Sequence, residues 1–287
     1  MPDYRTEARR PLDVVGLVLF GSGTALLSWL LEIFDEHTIE ATSAEVLLLV
    51  AVALLGAYVL HARRADFPLL QLELFRVRTF RVSVVGGFVT RLGLGGLPFL
   101  LPLLYQLGLG MPAWQSGLLM MPAAAAAMVM KLLSAPLLAR FGYKRVLVVN
   151  TLMTGVTIGL FSLVAPGTPI PMIVLLGLAQ GFFNSLQFSS MNSMAYADVE
   201  ADDSSMASTI ASSLQQMSRS FGLAAVSLVT AAYLGDSLQD DAAAVTAALH
   251  AVFLTMGAFT LLSSLSFWSL RPRDGESVSR GATVDLP

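Results

Sequence analysis

One arginine set deep in an apolar run constrains this chain more than any other feature. Residues 81–110 read RVSVVGGFVTRLGLGGLPFLLPLLYQLGLG. About 20 apolar residues rising 1.5 Å each are enough to cross the roughly 30 Å hydrocarbon core of a bilayer. Arg91 lies ten residues after Arg81, about 15 Å along a continuous helix and so near the midplane. A guanidinium there costs at least about 2.5–3.5 kcal/mol on insertion scales unless a bundle or a wet cavity receives it. Behind it, Gly-Leu-Gly-Gly, Pro98 and Pro102 loosen the helix, and neighbouring helices must satisfy the freed backbone groups. A lipid anchor has no use for such a segment. Arg91 needs a polar partner, and the remaining chain is expected to form the bundle that supplies one.

Composition agrees with this. The 287 residues are 55% hydrophobic and 13% charged, with a mean hydropathy of +0.70, whereas soluble domains are about 25% charged. The pattern is that of a polytopic membrane protein. There is no cysteine, hence no disulfide framework and no thiol chemistry. His37, His61 and His250 are too widely spaced for a metal site, and no cofactor is implied. Arg5, Arg9 and Arg10 precede the first apolar run. That run is too long for a signal-peptide core and ends in LLEIFDEH without a small-residue cleavage site, so it reads as a span.

Eight apolar segments of membrane length follow, near 13–34, 44–62, 82–107, 114–138, 146–165, 170–195, 206–234 and 248–270. With a cytoplasmic N-terminus, the loops on that side receive Arg63, Arg64, Arg76, Arg78, Arg81, Arg140, Lys144, Arg145, Arg271, Arg273 and Arg280. The outer loops receive no Lys or Arg, which is the bias of the positive-inside rule and puts both termini in the cytoplasm. The expected organisation is an N-terminal loop with two spans over 1–62, an interfacial cytoplasmic linker over 63–81, a six-span block over 82–270 and a tail over 271–287. The linker mixes basic residues with Leu and Phe, as a segment lying along the membrane surface does; the other reading is a plain loop with snorkelling arginines. Spans 82–107 and 170–195 each open a triplet and carry polar groups at mid-depth, a faint echo of nested transporter repeats.

Several polar residues fall inside spans. Gln180, Asn184 and Gln187 recur at helical spacing on one face, and amides in hydrocarbon need partners. They read either as a cavity wall for a substrate or as interhelical glue. Gly177, Gly181, Ser185 and Ser189 form a ridge suited to close packing. Lys131 lies nine residues before Arg140, roughly 13 Å from the cytoplasmic edge, within partial reach of snorkelling. Arg219 lies one turn from Gln215. No carboxylate sits mid-membrane in the six-span block; Glu32 and Glu45 lie at span ends. Three intramembrane cations therefore lack an obvious anion in this chain. No Gly-x-Ser-x-Gly elbow occurs and no histidine sits mid-span near a nucleophile, so an enzyme is not expected. The basic residues track one membrane side and form no nucleic-acid patch.

The segment APLLARFGYKRVLVVN at 135–150 resembles the cytoplasmic signature loop of the major facilitator superfamily. Arg140, Gly142, Lys144 and Arg145 fit its pattern, while Ala135 and Ala139 replace its glycine and acidic residue. PLLQLELFRVRTFR (68–81), RLGLGGLPFLLPLLYQLGLG (91–110) and QGFFNSLQFSSMNSMA (180–195) are similar to the fourteen-span drug:proton antiporter family of EmrB/QacA type, and most to its MdtD- and HsrA-type members. In that family six spans are followed by two extra spans and six more. This chain resembles the two extra spans and the C-terminal half, with MPDYR at 1–5 like the segment after the sixth span.

The resemblance implies an all-α, polytopic transmembrane bundle in a bacterial inner membrane. It implies the C-terminal portion of a proton-coupled carrier that exports hydrophobic or amphipathic compounds, with a missing N-terminal six-span half as its partner. Arg91, Lys131, Gln180, Asn184, Gln187 and Arg219 are the candidate cavity residues. The other reading is a self-standing half-size protein, either a homodimeric carrier or a non-transporting membrane partner.

Overall fold

The computed structural model describes residues 13–33, 41–65, 68–200, 203–234, 242–272 and 274–275. The expectations resting on Arg5, Arg9, Arg10, His37, Arg273 and Arg280 lie outside them. Among the described residues the regular structure is entirely helical. The chain divides into two compact units, 1–74 and 75–287.

The first unit holds α1 (Val14–Ile33) and α2 (Ala41–Ala62), which pack along one another. Both are apolar nearly all round, and Val18, Leu49, Val52 and Leu60 are exposed, as lipid-facing helices require. The base of this pair is fastened by polar groups. Asp13 Oδ1 accepts a hydrogen bond from the Gly16 N–H at 2.7 Å and lies 2.9 Å from His61 Nε2, while Oδ2 accepts one from the Leu69 N–H at 3.0 Å. The Tyr58 hydroxyl accepts a bond from the Leu70 N–H at 2.8 Å. One carboxylate thus caps α1 and ties the chain after α2 back to its start.

The second unit is a bundle of α3 (Arg78–Leu94), α4 (Leu97–Leu103), α5 (Ala113–Phe141), α6 (Tyr143–Leu160), α7 (Ile170–Ala195), α8 (Ser204–Leu234), α9 (Ala242–Ser263) and the short α10 (Leu265–Trp268). Helix α3 takes the last residues of the expected linker, starting at Arg78 rather than Val82. The predicted span 82–107 is broken. It stops at Leu94, resumes at Leu97 after Gly95 and Gly96, and ends in a π-helical turn over Leu104–Gly108; inside α4, Pro102 lacks the N–H that a regular helix would use. Among the described residues five helical stretches are long and apolar enough to cross a membrane: 78–108, 113–141, 143–163, 170–195 and 243–268. Helix α8 is long enough but carries a serine-rich polar face.

The interior is layered. One apolar cluster, including Leu100, Leu104, Tyr105, Phe161, Ile173 and Phe253, fills one end. A second, including Met130, Tyr143, Leu147, Met194 and Phe267, fills the other. On α3, α6 and α7 buried polar residues gather near the level where these clusters meet: Thr90, Arg91, Asn150, Thr151, Thr154, Gln180 and Gln187. The expected tail begins inside this unit, because Asp274 pairs with Arg78 at the start of α3.

Candidate functional site

Helices α3 and α8 cross at two glycines. A Cβ on Gly222 would stand 2.7 Å from the Arg91 carbonyl oxygen and 3.0 Å from Gly95 Cα, too close for any side chain. This backbone contact brings Arg91 of α3 and Arg219 of α8 to one level. Between them projects Phe188 from α7. The Arg91 guanidinium carbon lies 4.7 Å from the Phe188 ring centroid and that of Arg219 lies 5.6 Å from it, both within cation–π range. Arg91 is 6% exposed and its Nε has no hydrogen-bond partner; Arg219 is exposed. Neither forms an ion pair among the described residues. A narrow cleft beside Arg91 is lined by Ser83, Met191, Asn192, Ala211 and Gln215, and Gln215 Nε2 is also buried without a partner.

Such an arrangement is electrostatically incomplete. An aromatic face attracts a cation by about 0.5–2 kcal/mol, less than the cost of holding an unpaired guanidinium away from water. Chemically, the site can receive an anionic or strongly accepting group.

The amide face of α7 divides. Gln187 is fully buried against α6. Its Oε1 accepts from Asn150 Nδ2 at 2.7 Å and its Nε2 donates to Thr151 Oγ1 at 2.8 Å. Asn150 Nδ2 also donates to the Phe183 carbonyl at 2.8 Å, and Thr151 Oγ1 to the Leu147 carbonyl at 2.7 Å. Gln187 therefore joins two helices. Gln180 is 4% exposed, and both of its amide atoms lack partners. Asn184 is half-buried between them. The ridge on α7 packs on α5, where a Cβ on Gly181 would meet the Ala123 carbonyl oxygen at 2.0 Å and Ser185 Oγ donates to the Ala127 carbonyl at 3.0 Å.

Lys131 stands apart, exposed on α5 among Met128, Val129 and Leu132. Depth along a helix does not reveal which face a residue takes, and sequence spacing gave no sign of this one. Phe188 and the Asn150–Thr151 pair escaped the sequence reading too. The spacing of Asn150 and Thr151 within an apolar span is the signal that would have found them.

The signature-loop residues form the tight turn between α5 and α6. Gly142 has φ +75°, a conformation open to glycine and strained for other residues. The Arg140 guanidinium lies over Phe141 at 5.7 Å, Lys144 Nζ donates to the Trp268 carbonyl at 3.0 Å, and Arg145 is exposed.

A helical bundle with membrane-length apolar helices, a buried polar layer and an unpaired intramembrane arginine defines an integral membrane protein of transporter type. The family model described as Major Facilitator Superfamily matches residues 83–284. The chain belongs to that superfamily. It is also similar to proteins named "Putative multidrug resistance protein MdtD". That of Enterobacter sp. (strain 638) is 34% identical over 271 residues, covering 93% of this chain and 56% of that protein. The one from Serratia proteamaculans is 32% identical over 267 residues, with the same 93% and 56% shares. That of Pectobacterium atrosepticum is 34% identical over 256 residues, or 88% of this chain and 53% of that protein. The chain thus spans a little over half the length of these curated relatives.

Proposed function

We propose that this chain is the C-terminal part of a proton-coupled secondary transporter that exports hydrophobic or amphipathic compounds across the bacterial inner membrane. In this reading the six-span half spans 82–270, the first two spans link it to an N-terminal half, and both termini are cytoplasmic. One observation carries it. On α8 the exposed residues Ser205, Ser208, Thr209, Ser212, Gln216 and Arg219 form one helical stripe, and hydrocarbon cannot solvate such a face. The stripe needs water or another protein surface, as a cavity between two transporter halves provides. The names of the relatives, which speak of multidrug resistance, support the substrate class.

Arg91, Arg219 and Gln180 line the cavity in this reading. Asn184 is half-exposed to it, Lys131 faces the opposing half or lipid headgroups, and Gln187 supports the wall from behind. Proton coupling requires an acidic group, and the missing half is where we place it. The test is drug export by the longer protein that contains this chain, in a host lacking its own efflux pumps. Arg91→Ala and Arg91→Lys should abolish export while membrane levels stay normal, and everted vesicles should show substrate-dependent proton release only with intact Arg91. Normal resistance in both variants would remove Arg91 from the transport path.

A further inference from the structure

At the end of the bundle where α5 turns into α6, Phe141, Lys144, Arg145, Val148, Val149, Trp268 and Pro272 line an outward-facing groove of about 560 Å³. Its chemistry changes along its length. Val148 and Val149, one turn along α6 from the cations, make the wall that runs with that helix, and Phe141, the last residue of α5, and Trp268, 64% exposed, complete the lining. The two cations Lys144 and Arg145 stand at the end nearest the turn. Lys144 is held there by the Trp268 carbonyl, which fixes the ammonium between α6 and α10 rather than leaving it to sweep free. Among the described residues no carboxylate pairs with either cation. The nearby acid, Asp274, is already engaged by Arg78 and by the Arg271 N–H.

An apolar trough running with the helices and a pair of cations at its membrane-edge end, one of them anchored by the Trp268 carbonyl, match one amphiphile: a diacyl lipid with an anionic headgroup. We propose that this groove is a binding site for an anionic phospholipid. The phosphate sits on Lys144 and Arg145, and an acyl chain lies along Val148, Val149 and Phe141 against Trp268. Ordinary interfacial snorkelling predicts the same residue types with a diffuse enrichment of anionic lipid shared by all the basic residues of that membrane side, not one that depends on Lys144 and Arg145 alone. A basic pocket between helices gives a preference, because each Lys or Arg near the headgroups attracts an anionic lipid. The site uses neither the arginine pair of the cavity nor the polar stripe of α8, so it stands or falls independently of the transport reading.

Trp268 reports occupancy directly. The other tryptophans are Trp29 and Trp114, and both are exposed apolar side chains, so Trp29→Phe and Trp114→Phe leave Trp268 as the only indole. The full 287-residue chain is reconstituted in phosphatidylcholine vesicles in which an increasing fraction of the lipid is replaced by acyl-brominated phosphatidylglycerol or by acyl-brominated phosphatidylcholine. We expect half-maximal quenching of Trp268 at roughly tenfold less brominated phosphatidylglycerol than phosphatidylcholine. Lys144→Gln with Arg145→Gln should erase the difference, and Lys144→Arg with Arg145→Lys should keep it. Equal quenching by the two lipids in the parent chain overturns the proposal, and that comparison needs no variant of the groove. A preference that survives the double glutamine variant overturns it as well. Addition of millimolar inorganic phosphate separates the sources: a lipid site keeps its preference, and loss of quenching selectivity would make the groove a soluble-phosphate site.

Discussion

Replacing Gln187 by leucine separates a cavity wall from a helix clamp. The structure gives the amide two interhelical hydrogen bonds, one accepted from Asn150 and one donated to Thr151. Leucine nearly preserves the volume, so cavity formation contributes little. Nor is a partner stranded: Asn150 Nδ2 keeps the Phe183 carbonyl and Thr151 Oγ1 keeps the Leu147 carbonyl. Interhelical hydrogen bonds in membrane proteins average about 0.6 kcal/mol and reach about 1.7. Gln187→Leu should therefore cost about 1–2 kcal/mol, and Gln187→Ala about 2 kcal/mol more through the void it leaves. Asn150→Leu should cost more than Gln187→Leu, because it leaves the fully buried Gln187 Oε1 without a donor. The double leucine variant should fall short of the sum by about 1 kcal/mol, the signature of direct coupling. The assay is reversible unfolding of the 287-residue chain in mixed micelles, followed by circular dichroism, alongside drug export by the longer protein. Unchanged stability together with lost export would refute the reasoning and return Gln187 to the cavity.

Other consequences are equally direct. Arg91→Met should stabilise the isolated chain by about 1–3 kcal/mol, since it removes an unpaired buried charge beside a second cation; a destabilised variant in the same unfolding assay would mean Arg91 already has a stabilising partner. Gly222→Val should destabilise by more than about 2 kcal/mol because its Cβ falls 2.7 Å from the Arg91 carbonyl, whereas Gly117→Ala, with nothing within 4 Å, should be neutral. Equal behaviour of the two in a melting experiment would mean the α3–α8 crossing is not tight. Asp13→Ala removes the cap of α1 and the bond to Leu69 and should cost about 1–2 kcal/mol. Hydrogen exchange at Gly16 and Leu69 should rise with it, and unchanged protection there would dispose of the fastening role.

Much of the helix plan was legible because hydropathy reports directly on membrane length. Segment 170–195 coincides with α7, and the break after Leu94 was foreshadowed by Gly95, Gly96 and Pro98. Face assignments were less legible. The i, i+4, i+7 spacing placed Gln180, Asn184 and Gln187 together, but only the neighbour decides: Gln187 meets Asn150 and Thr151, while Gln180 meets no polar group. The meeting of Arg91 and Arg219 on Phe188 depends on α3 lying beside α8, which no local pattern encodes. Phe188 itself is one aromatic among many in an apolar chain. Lys131 shows the limit most plainly, since its depth was readable and its exposed face was not.

The bundle's packing sharpens the repeat glimpsed in the sequence and leads to a test of where water goes. Exchange α3, α5 and α6 for α7, α8 and α9, and the packed pairs map onto one another: α5 with α7 onto α8 with α3, α6 with α7 onto α9 with α3, α5 with α6 onto α8 with α9. Helices α5 and α8 thus occupy equivalent places, yet their uncovered faces differ. Helix α5 shows Met121, Met128 and Leu132 around the one cation Lys131, a face that hydrocarbon accepts apart from that side chain. Helix α8 shows the serine-rich stripe that ends at Arg219, which hydrocarbon does not. Equivalent backbones with opposite surfaces assign the wet wall to α8. The absence of cysteine makes this measurable. In the chain reconstituted at high lipid dilution, Ser212→Cys should react readily with a charged, membrane-impermeant maleimide, while Leu132→Cys, at a site 81% exposed in the bundle, should be shielded by acyl chains. Equal shielding at the two positions would put the stripe in lipid and refute the assignment.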